Sequence, residues 1–108
     1  MNLASEVFGA VVVVHAPEEL GHDQATPLRD ALLRLEQQCV VLDLDHTESI
    51  GGAALTAILD AQDLLREHAG DVKIATTNAA NLKILEMTRL DQHLEVFSSV
   101  LDAVRSYR

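Results

Sequence analysis

The sequence has few aromatic residues, no tryptophan and a single cysteine. Aromatic side chains make up 3% of the 108 residues, so a core must be built from Val, Leu, Ile and Ala. Cys39 cannot form an intrachain disulfide, so nothing indicates an oxidising compartment, and we expect a small buried side chain at this position. No leader segment opens the chain, and no apolar run approaches the ~20 residues that span a bilayer, which predicts a cytoplasmic protein.

Basic residues are also scarce. The chain has 8 Lys and Arg against 17 Asp and Glu, for a net charge of −9. Binding to nucleic acid or to an anionic membrane needs clustered basic side chains, so both functions are disfavoured. A protein partner with a basic face fits better. The length and the 48% hydrophobic content predict one domain over residues 1–108.

The motifs of common enzymes are missing. The sequence contains no GxGxxG, GxxxxGK[ST], GxSxG or HExxH pattern, and its five histidines show no ligand spacing. Four ionisable residues follow one another closely in the sequence: Asp43, Asp45, His46 and Glu48. They could suggest Mg²⁺, but no other residue completes a site, so we interpret them as a solvated loop rim. We therefore expect no enzyme activity, no cofactor and no metal.

The first half of the chain predicts a hairpin followed by a helix. A valine-rich run predicts one strand from Glu6 to Phe8 and a second from Val11 to His15. The polar segment PEELGHDQ reads as a connection. Thr26 and Pro27 predict the N-cap and the first position of a helix that ends near Gln38, because proline lacks only an N–H that is unpaired there.

The second half alternates strands and helices. CVVLDL at 39–44 predicts a buried strand, DHTES a polar loop, and the glycine pair 51–52 the start of a helix that ends at Gly70. VKIAT at 72–76 predicts a short strand, and Asn78 caps a helix whose apolar residues are Leu82, Leu85, Ile84 and Met87. LEVF at 94–97 predicts the last strand, and Ser99 caps a final helix with Leu101, Val104 and Tyr107 inward. The order β-β-α-β-α-β-α-β-α predicts an α/β fold with a mixed sheet, parallel except near its start.

Several strings resemble the STAS domain, the family of anti-sigma-factor antagonists. They are VVLDLD at 40–45, IGGAALTAIL at 50–59, GDVKIATT at 70–77 and ILEMTRLDQHLEVFSSVLDAV at 84–104. The resemblance covers nearly the whole chain. It implies the STAS fold, with a mixed sheet of about five strands and about four helices, and it implies regulation by protein–protein interaction.

The same resemblance bears on phosphorylation. The family carries a phosphorylatable D-S-S-G motif at the start of a helix, and an ungapped count places that motif on residues 51–54 of this sequence. The position equivalent to the phosphoacceptor serine is then Gly52, which has no hydroxyl. Ser49 is an alternative phosphosite, but its alignment requires the deletion of three loop residues. We expect a module that keeps its docking shape and lacks the switch.

The implied partner is an anti-sigma factor with a kinase-like fold. An alternative is that the protein is an accessory subunit that docks on the ATPase of a lipid-transport ABC complex. A third possibility, a nucleotide or lipid ligand, is disfavoured because no basic residue lies between Cys39 and Leu65. The residues that we expect to contact the partner are Glu48, Ser49, Gly51, Gly52, Ala53 and Thr56. Leu55, Ile58 and Leu59 are expected in the core.

Overall fold

The computed structural model describes residues 1–107. The strands are β1 (Ser5–Phe8), β2 (Val11–His15), β3 (Glu19–Leu20), β4 (Cys39–Asp43), β5 (Ser49–Ile50), β6 (Asp71–Ala75) and β7 (Val96–Phe97). The helices are α1 (His22–Leu33), α2 (Gly52–Arg66), α3 (Ala79–Met87) and α4 (Val100–Arg105), and a 3-10 turn spans Leu90–Gln92.

Five strands form a mixed sheet in the order β1-β2-β4-β6-β7. Strand β1 is antiparallel to β2, and every other pair is parallel, which confirms the predicted topology. The central strands are rich in Val and Leu because both of their faces are covered. Strands β3 and β5 lie outside this sheet and pair with each other in parallel over two residues each.

Helices α1, α2 and α3 cover one face of the sheet, and α4 covers the other. Alternate residues of one strand point to opposite faces, so Val12 and Val14 of β2 contact the cluster that includes residues of α1, α2 and α3. Val11 and Val13 contact a smaller cluster that includes Ala103 of α4. We call these the three-helix face and the α4 face.

Helix α1 lies earlier in the chain than predicted. It begins at His22 rather than at Pro27, and it ends at Leu33 rather than near Gln38. Its buried residues are Ala25, Leu28 and Leu32, so the inward stripe already starts before Pro27. The start is stabilised locally, because the side chain of Gln24 accepts a hydrogen bond from the N–H of Gly21 at 2.8 Å.

The prediction that Gly70 ends helix α2 was wrong. The helix ends at Arg66, and the left-handed backbone conformation of the following turn is taken by Ala69, with a φ of 62°. Gly70 is required for another reason: a Cβ at this position would overlap the carbonyl group of Gln38. The N–H of Asp71 donates to the same carbonyl at 3.0 Å, so β6 starts directly against the residue before β4.

Other predicted bounds and orientations also differ. The segment 94–97 is a strand only at Val96–Phe97, and Ser49 belongs to β5 rather than to a loop. Leu101 was predicted to face inward but is exposed, and so are Leu82 and Met87, two of the apolar residues of α3. Cys39 is half-buried rather than buried. The inward positions of α3 and α4 are taken by Asn81, Leu85 and Ala103. The N-caps at Asn78 and Ser99 are confirmed.

Candidate functional site

The candidate site is the β5–α2 corner, residues 45–56. The backbone of the corner is hydrogen-bonded to the segment that precedes α1. The N–H of Glu48 donates to the carbonyl oxygen of Glu18 at 2.8 Å, and the N–H of Gly51 donates to that of Leu20 at 2.8 Å. Together with the pairing of β3 and β5, these bonds hold the corner as a narrow ribbon beside the start of α2.

Helix α2 starts without a side-chain cap. Gly51 is the N-cap residue, with extended backbone angles, and Gly52 is the first helical residue. A Cβ at Gly52 would meet no atom within 4 Å, and a Cβ at Gly51 would make only an ordinary contact at 3.6 Å with the carbonyl oxygen of Leu20. Neither glycine has the positive φ that excludes other residues. Position 52 is therefore exposed, open and sterically able to carry a serine.

The buried side-chain amide of Asn81 holds the corner through hydrogen bonds to its backbone. Asn81 of α3 has no exposed surface, and its Nδ2 donates to the carbonyl oxygens of Leu44 at 3.0 Å and Thr47 at 2.9 Å. The hydroxyl of Thr47, which is also buried, donates to the carbonyl oxygen of Pro17 at 2.8 Å. Sequence reasoning missed Asn81, although it lies four residues before Leu85 and so on the same side of the helix.

A second contact attaches the corner to the segment before α3. The N–H of Thr77 donates to Oδ1 of Asp45 at 2.6 Å, and the hydroxyl of Thr77 donates to the same oxygen at 3.2 Å. Asp45 is exposed, as expected for a loop rim. The carboxylate of Asp45 therefore orders the loop rather than standing free in solvent.

Asp43 does not belong to a solvated rim, so that part of the interpretation was wrong. It is 7% exposed, because the residue is the last of a strand covered on both faces. Its carboxylate contacts the imidazole of His15 at 2.8 Å and accepts a hydrogen bond from the N–H of Asp45 at 3.0 Å. Across residues 1–107, no group of three or more His, Cys, Asp or Glu side chains could hold a metal ion.

The six predicted contact residues lie together, from the residue before β5 to the first turns of α2. Glu48, Ser49, Gly52 and Thr56 are exposed, and Gly51 and Ala53 are half-buried. Leu55 and Ile58 are buried and Leu59 packs partly against the core, as expected. The D-S-S-G motif of the family stands at the start of a helix. Ser49 lies in β5, before the start of α2, and so it does not occupy the equivalent position.

The surface around the corner is acidic. Glu19 of β3 and Glu18, the residue before that strand, are both exposed next to Glu48. Beside the start of α2, a cavity of about 300 Å³ lies between α1 and α2. It is lined by His22, Ala25, Thr26, Arg29, Ala53, Thr56, Ala57 and Asp60. A partner that covers the corner would meet carboxylates on the ribbon and a mixed polar surface along the helices.

The helices show no membrane-spanning segment. None of those between residues 1 and 107 combines the length and the apolar character that crossing a bilayer demands.

Solved structures share this fold. An anti-sigma factor antagonist from Mycobacterium paratuberculosis superposes with a TM-score of 0.85, at 20% identity over 97% of this chain and 92% of that one. A putative anti-sigma factor antagonist from Thermotoga maritima gives 0.84, at 19% identity over 96% and 92%. The Bacillus cell fate determinant SpoIIAA in its phosphorylated form gives 0.70, at 15% identity over 99% and 100%. At such identities these similarities concern the fold.

The sequence comparison supplies the family. No curated protein matches the chain significantly. The model of the STAS domain, however, matches residues 2–103, which include every strand and most of α4. Because the match covers nearly all of the sequence, the chain belongs to the STAS domain family.

Proposed function

We propose that this protein is a non-catalytic, cytoplasmic interaction module that binds a protein partner through the β5–α2 corner and lacks a phosphorylation switch. Its partner is an anti-sigma factor with a kinase-like fold, and residues 1–108 act as one domain. The observation that carries this proposal is Gly52, which occupies the first position of α2 with open space around it.

The chemistry of a switch explains why this glycine matters. A phosphoserine carries nearly two negative charges, and in an interface it disrupts docking by repulsion and desolvation. SpoIIAA, a structural neighbour, has been solved in phosphorylated and unphosphorylated forms. A glycine at the equivalent place accepts no phosphate. Binding by this chain would then be constitutive or set by the amount of protein.

The acidic ribbon supports a partner with a basic face. Glu18, Glu19 and Glu48 are exposed around the corner, and the whole chain has a charge of −9. Complementary charges raise the rate of association, and salt screens them. We expect association with the partner to slow as ionic strength rises.

The binding site is tested by a charge placed at position 52. Gly52→Asp adds a carboxylate in open space at a helix start, where a negative charge favours the helix, so the protein should fold. We expect the variant to lose at least tenfold in affinity for the anti-sigma factor in calorimetry, about 1.4 kcal/mol, because the carboxylate must lose its hydration in the interface and this cost can exceed the attraction of a basic face. Leu101→Asp, on the α4 face, is the matched control and should bind like wild type. Equal affinities of all three proteins would reject the corner as the site.

The absence of the switch is tested by phosphorylation. Wild type, Gly52→Ser and Ser49→Ala are incubated with the kinase activity of the partner, and the modified residue is located by mass spectrometry. We expect phosphate on Gly52→Ser only. Phosphate at Ser49 of the wild-type protein would show that the switch has moved rather than disappeared.

The lack of a hydroxyl at position 52 also favours a partner that is not a kinase. The second candidate is therefore a subunit that docks on the ATPase of a lipid-transport ABC complex. Affinity purification from the native cell separates the two: an ABC ATPase as the main bound protein rejects the sigma-pathway proposal, and a histidine-kinase-like protein rejects the transport proposal.

A further inference from the structure

His15, the last residue of β2, lies between two carboxylates. Its Nδ1 is 2.8 Å from Oδ2 of Asp43, and its Nε2 is 2.8 Å from Oε1 of Glu6. The three residues belong to β1, β2 and β4, which are adjacent in the sheet. The contacts therefore cross three strands on the α4 face, where β1 is an edge strand whose residues are all exposed.

The geometry of these contacts favours the imidazolium form of His15. Ionised carboxylates only accept hydrogen bonds, and a neutral imidazole has a single N–H to donate. Two carboxylate oxygens at 2.8 Å, one at each ring nitrogen, are both satisfied only by the imidazolium. The resulting hydrogen bonds are charge-assisted.

The other charged groups on this face do not take part. Lys73 of β6 lies beside Val41, and its Nζ donates to the hydroxyl of Ser106 at 2.8 Å. On α4, Asp102 and Arg105 are exposed. Glu6 and Asp43 are thus the charges that act on His15.

The two carboxylates are held unequally. The side chain of Asp43 is 8% exposed and also accepts the N–H of Asp45, whereas the side chain of Glu6 is 60% exposed and solvated. If His15 loses a proton, the remaining N–H stays with buried Asp43, because an unpaired buried carboxylate is costly. The lone pair on Nε2 then faces Glu6, and that contact breaks.

We propose that His15 is a proton-dependent clasp: as an imidazolium it fastens edge strand β1 to β4 across β2, and on deprotonation it releases Glu6 and loosens β1. The clasp lies at the base of the β5–α2 corner. The N–H of Ala16 donates to the carbonyl oxygen of Asp43 at 3.0 Å, and the next residue, Pro17, accepts the hydroxyl of Thr47.

The direction of the pH effect follows from the same contacts. Hydrogen bonding to Glu6, opposed by burial and reinforced by Asp43, raises the pKa of His15 above its ordinary 6.5. The stabilisation is therefore fully present below pH 6.5, the value in the unfolded chain, and it is lost as pH rises through the higher folded-state pKa.

The test compares wild type with Glu6→Gln, a surface change that removes one charge of the clasp. NMR titration of the His15 ring nitrogens should show a lower His15 pKa in Glu6→Gln than in wild type. Hydrogen exchange should show β1 amide protection reduced about two- to fivefold in the variant at pH below the wild-type pKa, the range for a partly exposed ion pair. Above that pKa the two proteins should exchange alike.

Glu86→Gln removes an exposed carboxylate from α3, which packs on the three-helix face of the sheet, opposite the clasp, and serves as the control. It should leave both the His15 pKa and the protection of β1 unchanged. The clasp is rejected if Glu6→Gln does not alter the His15 pKa, or if its effect on β1 protection is the same at all pH values.

Discussion

The two faces of the sheet are held by different forces. On the three-helix face, nineteen buried apolar residues form one continuous cluster, from Val12 of β2 to Leu94 before β7. On the α4 face, only five buried residues form the corresponding cluster, so hydrophobic burial contributes much less there. The difference indicates that a sheet face covered by one short helix needs additional anchors.

Those anchors are polar and lie at the end of α4. Nζ of Lys73 donates to the carbonyl oxygen of Ser106 at 3.2 Å and lies 4.2 Å from the centre of the Tyr107 ring. The Tyr107 hydroxyl lies 2.7 Å from the carbonyl oxygen of Val40 and 2.9 Å from that of Asp71. A lysine at a helix C-terminus also interacts favourably with the helix dipole.

The hydroxyl of Tyr107 remains a donor over the whole physiological pH range. Burial and, secondarily, the nearby charge of Asp71 raise the pKa of Tyr107 far above its ordinary value of 10.0. The contacts of the Tyr107 hydroxyl with the carbonyl oxygens of Val40 and Asp71 are therefore insensitive to mild alkali. In this respect they differ from the contact of His15 on the same face.

The largest effect is expected from a cavity on the three-helix face. Ile58→Ala removes a side chain with no exposed surface, and it should lower the free energy of unfolding by about 2–5 kcal/mol. Urea denaturation followed by circular dichroism measures this loss. The control is Leu64→Ala on the same helix, where the side chain is 43% exposed and the change should be within about 0.5 kcal/mol. Similar losses in both variants would contradict the assignment of the core.

A smaller loss is expected from the polar contact on the three-helix face. Asn81→Ala leaves the carbonyl oxygens of Leu44 and Thr47 buried without this donor, so it should cost about 1–3 kcal/mol. Because Leu44 directly precedes the β5–α2 corner and Thr47 lies within it, amide exchange should increase in residues 45–50 before it increases in α2. Asn78→Ala, which removes the cap of the same helix, should instead loosen the start of α3. Equal exchange in the corner of both variants would show that Asn81 does not position it.

The smallest effect is expected on the α4 face. Tyr107→Phe keeps the ring and removes the hydroxyl, so it should cost about 1 kcal/mol. The loss should be local, because the three-helix core does not depend on α4. Hydrogen exchange should increase in residues 100–105 and remain unchanged in α2. A uniform increase in amide exchange over the whole chain would mean that the two faces unfold together, and it would contradict the difference between them.

Much of the fold was predictable because its signals are local. The valine-rich strands, the glycine pair at the start of α2 and the Asn78 cap each act through a few neighbouring residues, and the structure confirms them. Strands β3 and β5 were missed because two residues are too few to show a period. The start of α1 was misplaced because Pro27 resembles a first helical residue, whereas the burial of Ala25 decides the outcome.

The candidate site was predictable only in part. The resemblance to the STAS family indicated the segment from Glu48 to Thr56, and its role in binding stays a prediction. The side chains that position this segment come from distant parts of the sequence. Asn81 lies 34 residues after Thr47, and the carbonyl group of Pro17 lies 30 residues before it. The spacing of Asn81 from Leu85 indicates its buried position, but the partners in these contacts depend on the tertiary arrangement.

The close approach at Gly70 has a consequence for sequence evolution. Every other amino acid would place a Cβ against the main chain of Gln38, and neighbouring side chains cannot relieve an overlap with backbone atoms. Position 70 is therefore closed to substitution as long as β4 and β6 keep their register. We therefore expect a glycine at this place in any relative whose backbone keeps the same approach between the start of β6 and the residue before β4.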